Sequence, residues 1–340
     1  MPVYYTGFNA SPLFSDQDGI TTSISRLTEI PFSEITNIEI GWNYFLLWRG
    51  TKLYITGKIS ENNERNGPHL IQVPQESSGS CKIAIAGRDS VIILSTLNEI
   101  WKYKIYDGSW QKVTPFIPNN DNLQTEYAIK MSQAGCTVVL TNLGRVFNAP
   151  VLAEMPKRVK FVDIASGFDH TILLAENGDV YSMGMGTRGQ LGHNDLEDYD
   201  NPRLIEALAG LKVAQISAGG WHSAAVTDQG DLYTWGWNTN GELGIESEDT
   251  KVHAVPILIN VNEEMNVMSV ECGNSFTICL TDDGSFWGCG TNKYGQLGKL
   301  HQGSGNPRNF VRLDTGALDP KTVRRFKCHE WGTAITTGME

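Results

Sequence analysis

Short runs of apolar, small and β-branched residues, separated by glycine-rich turns, set the pattern of this chain. The pattern is clearest in residues 213–244, where such runs lie around Ile216–Ala218, Ser223–Thr227 and Leu232–Trp235. A turn around Gly230 separates the second run from the third, and glycine accepts the positive φ that tight hairpin turns need. Runs of this length and composition, bounded by turn residues, predict three antiparallel strands.

The glycine spacing of this segment is repeated elsewhere in the chain. Intervals of 11, 6 and 8 residues occur three times, in the glycine sets 219, 230, 236 and 244; 167, 178, 184 and 192; and 273, 284, 290 and 298. Three copies of one spacing indicate a repeat protein with a period near 50 residues. Because stacked repeats share a continuous core, we expect a single domain over residues 1–340.

The copies differ in regularity along the chain. We expect degenerate units over about 23–150, with Ser23–Leu27 as the first strand of the sheet that follows the N-terminus, and regular units over about 150–300. The last unit, about 305–340, has only its first half, and residues 3–14 resemble the missing second half. Unpaired edge strands invite aggregation, so the ends are expected to close one sheet together. The fold class predicted is all-β, a seven-bladed β-propeller closed by N-terminal strands.

Composition and charge reduce the number of function classes that fit this chain. The 340 residues are 40% hydrophobic and 19% charged, with a net charge of −11. Nucleic-acid binders usually carry a basic surface, so we expect no direct nucleic-acid binding. No apolar run approaches the roughly 18 residues of a membrane helix and no signal peptide is seen, so we expect no membrane contact. The six cysteines form no CxxC pair, which favours free thiols in a reducing compartment, and we expect nucleus and cytoplasm.

Candidate chemistry is sparse. The sequence Gly184-Met-Gly-Thr-Arg-Gly189 matches a dinucleotide fingerprint, but it occupies the turn that 236–241 occupies in the next unit. His170 and His222 share one repeat position with Phe276, and a catalytic group would not be interchangeable with phenylalanine, so packed histidines bonded to backbone are expected. We therefore expect no enzyme activity, no cofactor and no metal site.

Loop aromatics are the stronger candidates, since Trp and Tyr are common anchors of protein interfaces. The loops between the first and second strands should converge on one rim. The partner-binding candidates, which include one further loop tryptophan, are Trp42, Asn43, Tyr44, Phe168, Asp169, His170, Trp221, His222, Trp237, Asn274 and Trp331. An acidic loop with Asp195, Glu197, Asp198 and Asp200 is either a solvated loop or a dock for a basic protein.

The glycine skeleton, Ser217-Ala-Gly-Gly-Trp-His222 and the Gly-Gln-Leu-Gly turns resemble the regulator of chromosome condensation repeat family. Kelch and WD propellers fit less well, because only Gly219-Gly220 offers a double glycine and no WD spacing occurs. The chain is most similar to a small stand-alone member. That resemblance implies a non-enzymatic scaffold that binds a JmjC-domain 2-oxoglutarate oxygenase as a heterodimer in chromatin regulation, with histone tails reached indirectly. The alternative is guanine-nucleotide exchange on a Ran-type GTPase. The basic N-terminal tail that the founding member uses on nucleosomes is not expected here.

Overall fold

The structure, a computed structural model, describes residues 2–9, 14, 22–57, 67–74, 79–113, 126–246, 250–300, 305–316 and 318–338. Its strands form seven four-stranded antiparallel sheets. The contacts divide the chain into two compact units: unit 1 comprises residues 1–123, 294–298 and 315–340, and unit 2 comprises residues 124–293 and 299–314. Short 3₁₀ helices occur at Glu206–Leu208 and Pro320–Thr322.

Unit 1 contains three of the sheets. Their strands are β1 Val3–Phe8, β2 Ser23–Glu29, β3 Asn37–Ile40, β4 Tyr44–Arg49, β5 Lys52–Gly57, β6 His69–Ile71, β7 Cys81–Ala86, β8 Ser90–Ser95, β9 Ile100–Lys104, β10 Trp110–Lys112, β27 Val323–His329 and β28 Gly332–Thr337. The strand orders in these sheets are β2-β1-β28-β27, β3-β4-β5-β6 and β10-β9-β8-β7.

Unit 2 contains the other four sheets, in each of which the strands follow chain order. Their strands are β11 Ala128–Gln133, β12 Thr137–Thr141, β13 Val146–Asn148, β14 Val151–Leu152, β15 Phe161–Ser166, β16 His170–Ala175, β17 Val180–Gly184, β18 Tyr199–Leu204, β19 Val213–Ala218, β20 His222–Thr227, β21 Leu232–Trp237, β22 Val252–Ile259, β23 Val267–Cys272, β24 Phe276–Thr281, β25 Phe286–Gly290 and β26 Val311–Arg312.

The two ends of the chain share one sheet, which confirms the predicted closure. Strand β1 pairs with β28 in an unbroken register from Val3 opposite Thr336 to Gly7 opposite Gly332. Thr6 and Tyr5 are buried there, and the Tyr5 hydroxyl donates to the carbonyl oxygen of Phe8 at 2.8 Å. Of the predicted closing segment 3–14, residues 10–13 lie outside the described residues.

Two predicted strand assignments are wrong. Ser23–Leu27 was expected to begin the next sheet, but β2 is the outer strand of the closing sheet and pairs with β1 from Phe8 opposite Ser23 to Tyr4 opposite Glu29. Most of its side chains are exposed and only Ile24 is buried, as suits an edge strand. Within the expected closing range 305–340, β26 pairs instead with β25, where Trp287 lies opposite Arg312.

Each unit has hydrophobic cores of its own, to which strands buried on both faces, such as β4 and β16, contribute. In unit 1, Tyr5 and Phe45 pack edge to face with ring centroids 4.7 Å apart. In unit 2, Trp235 is fully buried and its indole N–H donates to the carbonyl oxygen of Gln190 at 2.9 Å. A buried indole needs such a partner, so this bond ties β21 to the turn after β17.

Candidate functional site

A glycine with a ring three residues later shapes the loop between the first and second strands of four sheets. A Cβ on Gly273 would lie 1.9 Å from the Phe276 ring, and one on Gly219 would lie 2.3 Å from the His222 ring. The same packing occurs at Gly167 with His170 and at Gly41 with Tyr44. The ring therefore lies flat against the backbone, where any larger residue would overlap it.

Burial removes four residues from the predicted contact surface, three of which are rings packed in this way. Tyr44 and His222 are fully buried, His170 is 1% exposed and Asn274 is 8% exposed. Since the rings lie beneath the loop backbone, they shape the loop and cannot contact a partner directly. The remaining loop candidates, including Asn43 and Asp169, are half-buried.

The two histidines link neighbouring sheets of unit 2. Nε2 of His170 lies 2.9 Å from Oγ of Ser223, whose hydroxyl donates to the carbonyl oxygen of Gln190 at 3.0 Å. Because that hydroxyl has one hydrogen, Nε2 of His170 must carry the proton and donate to Oγ. His222 repeats the arrangement with Thr277 at 2.9 Å. Side-chain hydroxyls are thus partners of both rings, in addition to the backbone hydrogen bonds that were expected, with His222 for His170 and with Phe276 for His222.

Both imidazoles are electrically neutral near pH 7. Burial lowers the pKa of His170 to about 4. Burial, with a smaller contribution from His170, lowers the pKa of His222 to about 3. Neither ring reaches solvent, so neither is placed to exchange a proton with a substrate.

The first stacked cluster, which we call the arginine cluster, lies in unit 2 and consists of Phe168, Arg188, Trp221 and Trp237. The Arg188 guanidinium lies 4.2 Å from the Trp221 ring centroid and 5.4 Å from that of Trp237. Phe168 packs edge to face on Trp221 with centroids 5.3 Å apart. All four side chains are half-buried, so part of each faces solvent.

Backbone hydrogen bonds hold this cluster in place. The N–H of Trp237 donates to the carbonyl of Trp221 at 2.9 Å, and the N–H of Phe168 donates to the carbonyl of Gly220 at 3.1 Å. The N–H of Arg188 donates to Oε1 of Gln190 at 2.8 Å, and Gln190 is fully buried. The rings are therefore positioned before any partner arrives, which lowers the entropy lost on binding.

The second cluster, which we call the tyrosine cluster, lies in unit 1 and consists of Phe8, Tyr294, Trp331 and Trp42. Tyr294 packs edge to face on Phe8 at 5.1 Å and on Trp331 at 5.8 Å between ring centroids. Trp331 packs on Trp42 at 5.5 Å, and the exposed Arg88 lies over the Trp42 ring at 5.0 Å.

The two clusters occupy the same three repeat positions. Tyr294 stands two residues before Gln296 as Arg188 stands two before Gln190, and both glutamines accept from that backbone N–H at 2.8 Å. Gly7 pairs with Gly332 as Gly236 pairs with His222. By this register, Trp331 matches Trp221 and Phe8 matches Trp237. One scaffold thus presents a cation in unit 2 and a phenol in unit 1.

Two carboxylates of the acidic loop already bind groups of this chain. The Asp195 carboxylate accepts from the Tyr199 hydroxyl at 2.9 Å and pairs with Arg203 at 3.4 Å. Asp198 accepts from the backbone N–H of Gly186 at 2.7 Å. Glu197 and Asp200 are exposed. Docking of a basic protein here stays a prediction.

Sequence reasoning missed Arg188 and Tyr294. Arg188 was seen only as part of the turn 184–189, which does form a turn with no α-helix after it in the fully described stretch 126–246. The available signal was its position: residues 188, 240 and 294 are equivalent in three repeats, and two of them are side chains that stack on indoles.

The described residues contain no group of three or more His, Cys, Asp or Glu side chains that could hold a metal ion. In the same part of the chain, no helix has the length and apolar character needed to cross a membrane.

Two models of the regulator of chromosome condensation (RCC1) repeat match the chain. One matches residues 177–226 and 229–280. The other matches residues 161–190, 213–242 and 267–296. These are the regular repeats, and they include the arginine cluster.

Two curated relatives show different extents of similarity. The E3 ubiquitin-protein ligase HERC2 of Homo sapiens is 40% identical over 56% of this chain, which spans only 4% of that protein's length. RCC1 domain-containing protein 1 of Homo sapiens is 26% identical over 89% of this chain and 88% of its own length.

Two solved structures share the fold along the whole chain. Human WBSCR16 matches with a TM-score of 0.80 and 16% identity, and the match covers all of both chains. Prp20p of Saccharomyces cerevisiae matches with a TM-score of 0.75 and 16% identity over 100% of this chain and 93% of its own. With seven four-stranded sheets and a closing sheet shared by both ends, the chain has the seven-bladed propeller fold, and the RCC1 repeat models match its residues within 161–296.

Proposed function

We propose that this protein is a non-enzymatic interaction module that binds a protein partner through the arginine cluster. The observation that supports this proposal most directly is the half-exposed, hydrogen-bonded set of Phe168, Arg188, Trp221 and Trp237. Trp and Arg are the residue types most enriched where truncation weakens protein interfaces. Rigid aromatic side chains also lose little entropy on binding.

A catalytic role has less support in the described residues. The two histidines at the repeat loops are buried, neutral and bonded to Ser223 and Thr277. Interaction through surface loops on a β-propeller scaffold needs no such groups.

The partner we propose is a JmjC-domain 2-oxoglutarate oxygenase, bound as a heterodimer in chromatin regulation, in the nucleus and cytoplasm. This follows from the family resemblance of the sequence, and similarity to RCC1 domain-containing protein 1 over 89% of this chain supports it. Histone tails would then be reached through the oxygenase.

Nucleotide exchange on a Ran-type GTPase is the second candidate. It is favoured by the fold match to Prp20p, a protein whose structure was described together with binding to Gsp1p and histones. At 16% identity this match carries the fold and leaves the activity open to assay.

Affinity purification of the tagged full chain from cells tests the first proposal. A JmjC oxygenase should be recovered in near-equal amount with the wild-type chain and lost with Trp221→Ala. Its absence from repeated wild-type purifications contradicts the proposed partner. Faster release of labelled GDP from a Ran-type GTPase at micromolar concentrations of the chain would favour the second candidate.

A further inference from the structure

In the part of the chain that the structure describes, the Arg188 side chain contacts aromatic rings and no carboxylate. Its guanidinium lies over Trp221 and Trp237, and within the described residues its side chain has no carboxylate or carbonyl partner. Other half-buried arginines of unit 2 are partnered: Arg145 pairs with Glu126, and Arg308 donates to the carbonyl oxygen of Asn238 at 3.1 Å. The N–H groups of Arg188 are therefore available to a ligand.

A guanidinium stacked on indole faces keeps its donors at the edge of its plane. Stacking satisfies the face of the cation through the ring quadrupole, but the N–H edge still needs an acceptor. The acceptor that best matches this edge is a carboxylate or a phosphate, which takes two parallel hydrogen bonds. No carboxylate of the described residues forms an ion pair with this edge.

The surroundings favour a single negative charge over a phosphate. The Asp198 carboxylate of the acidic loop accepts from the backbone N–H of Gly186, in the turn that carries Arg188, at 2.7 Å, and the whole chain has a net charge of −11. A dianionic phosphate or a nucleic acid would be repelled more strongly than one carboxylate. The flanking rings of Phe168, Trp221 and Trp237 offer apolar faces beside the cation.

We propose that Arg188 is a carboxylate receptor for an aspartate or glutamate with an apolar neighbour in a partner protein. The carboxylate would take the free edge of the guanidinium, and the apolar side chain would pack on the indoles. This inference rests on the proposed role as a protein-interaction module and names the chemistry that its arginine cluster recognises. The partner segment is thus acidic and apolar, whereas the acidic loop alone would have predicted a basic one.

Two fluorescent peptides that differ by one group test this chemistry on the full chain. One carries a single glutamate between two phenylalanines, and the other carries glutamine in its place. By fluorescence anisotropy, the glutamate peptide should bind the wild-type chain about tenfold more tightly, since a charge-assisted bidentate contact is lost with glutamine. Equal affinity for the two peptides would overturn the proposal, as would tighter binding of a phosphoserine counterpart.

Three variants assign the effect to this residue. Arg188→Gln should abolish discrimination between the peptides, and Arg188→Tyr, which installs the side chain of the tyrosine cluster, should do the same if Arg188→Gln fails to fold. Arg88→Gln, which removes an exposed arginine stacked on one indole, should leave the tenfold ratio unchanged. Discrimination that survives both Arg188 variants contradicts the inference. Peptide discrimination without oxygenase recovery would refute the proposed partner and leave the receptor standing.

Discussion

The arginine cluster of unit 2 and the tyrosine cluster of unit 1 place different chemistry on one geometry. In each, a residue two positions before a fully buried glutamine packs on two aromatic side chains. The glutamine side chain fixes the turn, and the repeat glycines fix the loops that bear the rings. The scaffold therefore determines where the three side chains meet, and the residue at position 188 or 294 determines which chemical group they present.

A third turn shows that the stack is optional. The residues equivalent to Arg188, Trp221 and Trp237 are Asn240, Ser275 and Thr291. At the position of the glutamine, this turn has Glu242. Glu242 is 2% exposed and accepts from the N–H of Asn240 at 2.7 Å, as the glutamines do in their turns. The hydrogen bond to the turn is thus kept where the aromatic side chains are not.

The largest expected contrast between the units is their response to acid, because His170 and His222 belong to unit 2 and the matching loop of unit 1 has Tyr44. Their folded pKa values, about 4 and about 3, lie below the ordinary value of 6.5. Between the folded values and 6.5, the unfolded chain therefore binds more protons than the folded chain. The free energy of unfolding falls as the pH falls below 6.5. Replacing both by phenylalanine, as at Phe276, should remove about 3–4 kcal/mol of this loss between pH 7.5 and 5.

Urea unfolding at the two pH values measures this difference between the double variant and the wild-type chain. Hydrogen exchange should place the acid-sensitive opening in β16 and β20 of unit 2. Parallel pH dependences of the two proteins would contradict the assignment of neutral, buried imidazoles.

The next contrast is in the pH dependence of stability, because Glu242 can ionise whereas the equivalent Gln190 and Gln296 cannot. Burial raises the pKa of Glu242 to about 7, so the folded chain holds a proton that the unfolded chain releases above its ordinary value of 4.5. This contribution to stability is present at low pH and is lost as the pH rises toward 7. Glu242→Gln should therefore raise the free energy of unfolding by about 2–3 kcal/mol at pH 8 and by little at pH 4.5. A stabilisation that is equal at both pH values would refute the protonated state.

Partner binding separates the two clusters directly. Trp221→Ala should weaken binding of the partner by about 2 kcal/mol, or about 30-fold, because Trp221 contacts both Arg188 and Phe168. The matched change Trp331→Ala in the tyrosine cluster should weaken binding by less than about threefold. Surface plasmon resonance with purified partner measures both, and the reverse order would move the binding site to unit 1.

Exchanging the central residues should have the smallest effect on stability. Arg188→Tyr and Tyr294→Arg each replace one stacked side chain by another, so the free energy of unfolding should change by less than about 1 kcal/mol. Thermal denaturation of the two variants checks this expectation. A larger loss in either would show that the scaffold does not tolerate both chemistries.

The repeat architecture could be predicted from the sequence because local residue patterns determine its turns and strands. Glycines at fixed intervals mark turns and close approaches, and the half unit at 323–338 implied pairing with residues near Val3. The assignment of Ser23–Leu27 failed because an exposed outer strand and an inner strand of the next sheet look alike without their partners.

The candidate site was harder to predict, because it forms between one turn and the loops of the following sheet. Loop position alone grouped half-buried Trp221 with fully buried His222, although the ring of the latter lies against Gly219. Arg188 had no distinguishing local pattern, since its stacking depends on indoles 33 and 49 residues later in the chain. The contact joins a turn residue of one repeat to loop residues of the following repeat, so a comparison of equivalent positions alone does not reveal it.

Hydrogen–deuterium exchange of the free chain and of its complex with the purified partner tests the central claim most directly. We predict slower exchange on complex formation in the segments 166–169, 186–189, 219–223 and 236–238 of unit 2, and little change in 329–332 of unit 1. Protection confined to other surfaces, with these four segments unchanged, would contradict recognition through the arginine cluster.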